Sequence, residues 1–225
     1  SASPSQNEID DLIHVLNSGR FSEAEKLARS ITEKNPEHPV GWAILGVIFD
    51  STCRDSEAED AKKTVVKLSP AEASAHNNLG VTLKKVGKFL DAEVSFSQAI
   101  SLKPNYALAH YNLGNLLVQL GRLEEAISSY AQASSVKPDY YEAFFNLGNT
   151  FRKLGRLQEA HTAYSKAISI KPDYMEAYNN LGWLLIEKSD WEGALEKFSV
   201  HNNLKRDISR SRKEQIPLKI SKVKK

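Results

Sequence analysis

The sequence predicts an all-α solenoid of about six helical hairpins, and three markers carry that expectation. Proline recurs at Pro36, Pro70, Pro104, Pro138 and Pro172, each 34 residues after the last. Leu-Gly keeps the same interval at Leu45-Gly46, Leu79-Gly80, Leu113-Gly114, Leu147-Gly148 and Leu181-Gly182. Alanine keeps it six times, at Ala24, Ala58, Ala92, Ala126, Ala160 and Ala194. A fixed period in this range, without insertion or deletion, is the mark of a repeat architecture in which each unit is one supersecondary element.

With Leu-Gly at positions 7 and 8, the units run 5–38, 39–72, 73–106, 107–140, 141–174 and 175–206, and a basic tail covers 207–225. In 107–140 the apolar residues follow helical spacing twice, first through His110, Leu113, Gly114 and Leu117, then through Leu123, Ala126, Ile127, Tyr130 and Ala133. Gly121 separates the two runs, as expected of a residue that closes a helix in the left-handed region. Lys137-Pro138-Asp139 stops the second helix. Each unit is therefore a hairpin of helix A and helix B, with the small residues at positions 8 and 20 where the two cross. The unit 5–38 has Asp11-Leu12 in place of Leu-Gly. The unit 39–72 has Cys53 for the turn glycine and Lys62 where an aromatic belongs, and 175–206 has Ser189 for the glycine.

An aromatic at position 4, Leu-Gly at 7 and 8, Ala at 20, Phe or Tyr at 24 and Pro at 32 resemble the tetratricopeptide repeat (TPR) family over about 200 residues of the chain. The resemblance implies a right-handed superhelix whose helix A layer lines a concave groove. Positions 4, 7, 8 and 11 share the side of helix A that meets helix B, while 2, 5, 6, 9 and 13 share the other. The second set includes Asn77, Asn78, Tyr111, Asn112, Asn115, Phe145, Asn146, Asn149, Asn180 and Trp183. Exposed aromatics among amides have the composition of a recognition surface. Asn78, Asn112, Asn146 and Asn180 share position 6, and each side-chain amide can match a peptide backbone with one acceptor and one donor. This row resembles the asparagine ladder in the arrays of O-linked N-acetylglucosamine transferase-like proteins. Two readings stay open for it: contact with a bound peptide, or structural bonds between repeats. The cation pattern of the carboxylate-clamp subfamily is missing, because Tyr111, Asn115, Asn146, Glu176 and Asn180 stand at its positions.

Composition narrows the function further. There is no run of about 18 apolar residues, the length needed to span a bilayer, and SASPSQNEID lacks the layout of a signal peptide. A single cysteine, Cys53, excludes an internal disulfide framework and any zinc site of several thiolates, so a cytoplasmic setting without membrane contact is expected. No phosphate-cradling loop, His-Glu-x-x-His motif or nucleophile elbow occurs, and neither catalysis, metal nor cofactor is expected. His76 and His110 occupy position 4 as ring-shaped filler, alongside Trp42, Phe144 and Tyr178.

The net charge of +2 divides unevenly. From His201 onward nine Lys or Arg face two acidic residues, a balance of +7, which leaves −5 on residues 1–200. That tail is expected to be a solvated linker, the alternatives being continuation of the parent chain into another domain and contact of its nine cations with nucleic acid or an anionic surface. Without interleaved aromatics it is not expected to bind nucleic acid specifically. The function expected is a protein-interaction module that binds an extended peptide of a partner protein in the concave groove. The alternatives are a substrate-presenting array of a larger glycosyl- or sulfo-transferase and a solenoid that associates with itself.

Overall fold

The computed structural model describes residues 3–203 and 205, and the expectation about the basic tail lies outside them. Among the described residues every regular element is helical. The helices are α1 (Gln6–Asn17), α2 (Phe21–Lys34), α3 (Pro39–Ser51), α4 (Asp55–Leu68), α5 (Ala73–Lys85) and α6 (Phe89–Leu102). They continue with α7 (Ala107–Gln119), α8 (Leu123–Val136), α9 (Tyr141–Lys153), α10 (Leu157–Ile170), α11 (Met175–Glu187) and α12 (191–203). Odd-numbered helices are the A helices and even-numbered ones the B helices. None is long and apolar enough to cross a membrane.

Local chemistry sets the starts and turns. Ser5 and Glu8 form a reciprocal capping box at the start of α1, and Pro39 opens α3 where a missing N–H costs nothing. The B helices α2, α4, α6, α8 and α10 begin without a side-chain cap; their N-cap residues are Arg20, Arg54, Lys88, Arg122 and Arg156. Arg20, Arg54, Arg122 and Arg156 instead pair with Glu23, Glu57, Glu125 and Glu159 in the first turn. These pairs are solvent-exposed and contribute little individually. Position 4 ties helix A to the preceding loop: Trp42 Nε1 donates to the Pro36 carbonyl at 3.1 Å, and His76 and His110 bond the Pro70 and Pro104 carbonyls through Nε2 at 2.9 Å. The histidines therefore act as hydrogen-bonded rings in the tryptophan's place.

The A-to-B turns put one residue per repeat in the left-handed region. Glycine meets that demand at Gly19, Gly87, Gly121 and Gly155, while Cys53 (φ 58°) and Ser189 (φ 62°) meet it with a side chain. A residue with a Cβ is strained there by about 1–2 kcal/mol.

The chain divides into two compact units, Ser1–Leu116 and Leu117–Lys225. In the first, α1 to α4 enclose Leu12, Val15, Ala24, Ile31, Leu45, Ile48, Phe49 and Ala58. In the second, Ala160, Tyr164, Leu181, Leu184, Leu185 and Ala194 form the core, with Phe145, Phe151 and Phe198 against it. The position-20 alanines are sealed, from 0% exposure at Ala24, Ala58, Ala92, Ala126 and Ala160 to 2% at Ala194. Opposite them, the position-8 glycine lets the helices close on an aromatic ring. A Cβ built on Gly80, Gly148 or Gly182 would stand 2.7, 2.7 or 2.6 Å from ring atoms of Phe96, Tyr164 or Phe198.

Two stability predictions result. Gly148→Ala should overfill the hairpin and lower stability by about 1–3 kcal/mol, read as a drop in the urea midpoint with the slope unchanged. Conversely, Cys53→Gly and Ser189→Gly should each raise the midpoint, because relief of the left-handed strain exceeds the added chain entropy by roughly 0.5–1 kcal/mol. A fall in midpoint for both would contradict the turn assignment.

Candidate functional site

The outward side of the A helices carries the residues singled out in the sequence, and each unit treats its asparagines differently. In the first unit the amides form a chain. Asn112 Nδ2 donates to Asn77 Oδ1 at 2.9 Å, and Asn77 Nδ2 reaches Asn78 Oδ1 at 3.4 Å. Asn77 is 1% exposed and Asn112 9%, so the structure turns inward two residues that the helical wheel places outward. The reason is that an amide bridging adjacent A helices is desolvated by the neighbour it bonds. A buried amide left unbonded would cost about 1–3 kcal/mol, and this chain of bonds avoids that. Only Asn78 of the three is exposed. Tyr111 and Asn115 are half-buried, and each has an interaction partner within the protein.

In the second unit the amides meet across α9 and α11. Asn149 Oδ1 accepts from the Asn180 side chain at 2.8 Å and from the Tyr164 hydroxyl at 2.7 Å. Burial pushes the Tyr164 phenol up to about 12, so the hydroxyl stays a proton donor at every physiological pH. Two donors on one oxygen fix the orientation of the Asn149 amide. Asn149 keeps its NH2 group and Asn180 its carbonyl oxygen for other partners. Both residues are half-buried, as are Asn146 and Phe145. Asn146 has an interaction partner within the protein.

The aromatics separate in the same way. Phe145 packs its ring 4.9 Å from that of Tyr174 and 5.8 Å from that of Tyr164, so much of its surface is spent on the hairpin and the following loop. Trp183 remains 50% exposed, its ring centroid 5.5 Å from that of Phe198 in an edge-to-face arrangement. Beside it Arg152 of α9 pairs with Glu187 of α11 through Nε at 2.9 Å. Lys85 in the first unit pairs with Asp55. Lys84 and Lys85 are adjacent cations, as are Arg152 and Lys153, and one of each two has an acidic partner within the protein.

Two hollows were not legible in the sequence. One, of about 390 Å3, lies between α9 and α10 and is walled by Phe144, Leu147, Phe151, Thr162 and Ala163, on the side of α9 away from Asn149. The other, of about 220 Å3, lies between α3 and α5 beside Asn78, with Lys62 of α4 at its base. The signal for the second was the lysine at position 24, a departure visible in the repeat register.

The comparisons with known proteins agree with this architecture. The TPR repeat family is matched three times over, by residues 87–121, 114–155 and 148–186. Among solved structures, the crystal structure of MamA is 26% identical, covers 74% of this chain and 97% of its own, and superposes with a TM-score of 0.69. YrrB, described as a TPR protein with an unusual peptide-binding site, is 21% identical over 80% of this chain and 93% of its own, with a TM-score of 0.64. PilF of Pseudomonas aeruginosa is 16% identical over 85% and 87%, with a TM-score of 0.75. At the two lower identities the likeness is one of fold. No curated protein matches the chain in sequence. Sequence period, hairpin geometry and these likenesses converge on one assignment: the chain carries tetratricopeptide repeats, matched over residues 87–186.

Proposed function

We propose that the chain is a protein-interaction module whose helix A surface in the second unit grips an extended segment of a partner protein. The observation that carries this reading is the Asn149–Asn180 bond. It ties up the oxygen of one amide and the nitrogen of the other, so the pair presents one donor and one acceptor. That is the complement of a peptide group, whose carbonyl would take a hydrogen from Asn149 Nδ2 and whose N–H would donate to Asn180 Oδ1. Recognition of this kind is indifferent to peptide sequence. Selectivity would come from neighbouring side chains, with Trp183 offering a large, half-exposed ring to an apolar residue. Phe145, packed on Tyr164 and Tyr174, lies on the same stripe of α9, and Asn146 extends it by one turn. In the first unit Asn78 is the exposed position-6 amide, while Asn112 contributes by holding Asn77. Tyr111 and Asn115 continue the same face on α7. That YrrB, another protein of this repeat, has a peptide-binding site supports the same reading.

The test is an isosteric change. Peptides enriched from a displayed random library on the full chain serve as probes, and Asn149→Asp is compared with wild type by calorimetry. Aspartate keeps an oxygen for Tyr164 and Asn180 but sets an anion against the peptide carbonyl. Affinity should fall about tenfold or more, the loss of a bond worth about 0.5–1.5 kcal/mol plus repulsion, while the unfolding temperature shifts little. Equal affinity for wild type and variant, at equal stability, would remove these amides from the binding surface.

A further inference from the structure

The repeat that departs most from the common pattern also holds a pocket. Position 24 is Phe96, Tyr130, Tyr164 and Phe198 in the last four repeats, and Lys62 in the second. A ring lies under Gly80, Gly148 and Gly182, but under Gly46 the stem of Lys62 runs instead, its Cγ 3.1 Å from where a Cβ would stand. Lys62 is 8% exposed. A buried ammonium needs partners, and it has two: the Asp50 carboxylate on α3 and Thr82 Oγ1 on α5, the latter at 2.6 Å. The ammonium is thus held between α3 and α5, beside the hollow of about 220 Å3.

Its walls and rim indicate what fits. Val47, Val65 and Val81 form apolar walls, Asp50 and Lys62 lie at the base, and Asn78 stands at the rim. Val47 is 47% exposed and Val81 37%, so both have apolar surface left to cover. The space falls below the roughly 300–1,000 Å3 of sites that take whole small molecules, and suits one side chain. The charges at the base are balanced: an incoming cation would face Lys62, an incoming anion would face Asp50, and an uncharged apolar group would face neither. At the rim, the amide chain from Asn112 through Asn77 occupies the Asn78 oxygen and leaves its NH2 for a peptide carbonyl.

We infer that the hollow beneath Asn78 is a side-chain pocket for one branched aliphatic residue of a bound segment, walled by Val47, Val65 and Val81 with buried Lys62 and its partner Asp50 beside them. This rests on the helix A surface being the peptide-binding face, and it adds a specificity pocket in the first unit. The probes are capped amino acids: the N-acetyl methylamides of leucine, lysine and glutamate, titrated into the full chain with 13C-labelled valine methyls. The leucine probe should shift the Val47, Val65 and Val81 methyls saturably, with the lysine and glutamate probes weaker by about tenfold. Lys62→Phe, which restores the ring of the neighbouring repeats, should abolish the saturable shift. Val81→Ser, on the half-exposed wall, should weaken it about tenfold without disturbing the fold. Unmoved valine methyls, equal response to the lysine probe, or full response in Lys62→Phe would each overturn the pocket. The side-chain amide signals of Asn149 and Asn180, followed in the same samples with a library-enriched peptide, separate the two claims. Response there with silent valines defeats the pocket alone, and silence at both defeats the pocket and the peptide-binding reading together.

Discussion

A glycine in helix A closing on an aromatic ring of helix B is the contact on which the rest of this structure depends. Gly80 on Phe96, Gly148 on Tyr164 and Gly182 on Phe198 leave no room for even a methyl group. With the axes held that close, position 20 must be alanine, and it is buried in every repeat. The same closeness spends the inner side of helix A on its partner helix, which leaves positions 2, 5, 6 and 9 to meet whatever lies outside. A surface for recognition follows from a constraint on packing, and needs no dedicated loop.

The amides on that surface serve two ends. Asn77 and Asn112 are buried and bonded to each other, so their chemistry is spent on holding adjacent A helices together. Asn149 and Asn180 are also bonded, yet the bond fixes their orientation and leaves opposite ends available. The structural reading of the asparagine row and the proposed ligand-binding one are thus compatible: a bond between repeats would pre-orient the amides proposed to meet a peptide and lower the ordering cost of binding. Tyr164 joins both tasks, filling the space under Gly148 and donating its hydroxyl to Asn149.

Much of the hairpin architecture was legible in the sequence, because proline, Leu-Gly and alanine held in phase at a 34-residue period require a helix, a turn and a second helix in every unit. Cys53 and Ser189 were legible as occupants of the turn-glycine position, and the structure gives both the left-handed backbone that position demands. What one helical wheel does not contain is the neighbouring repeat. The wheel sets Asn77 outward, but the next A helix covers it. Phe145 sits on the same outward stripe, but Tyr174 of the following loop reaches over its ring. Lys62 stood out as a misfit in the register, yet where its ammonium goes is decided by Asp50 twelve residues earlier and Thr82 twenty residues later.

The central claim is that a peptide group sits between Asn149 and Asn180. The most direct measurement is the set of intermolecular contacts of the Asn149 side-chain NH2 in a complex of the isotope-labelled chain with a library-enriched peptide, observed by nuclear Overhauser effects and by coupling across the hydrogen bond. The account predicts a coupling from Asn149 Nδ2 to a peptide carbonyl carbon and contacts between the adjoining peptide residue and the Trp183 ring. A tightly bound peptide whose contacts fall wholly on the B helices, with the Asn149 amide signals unchanged, would contradict it.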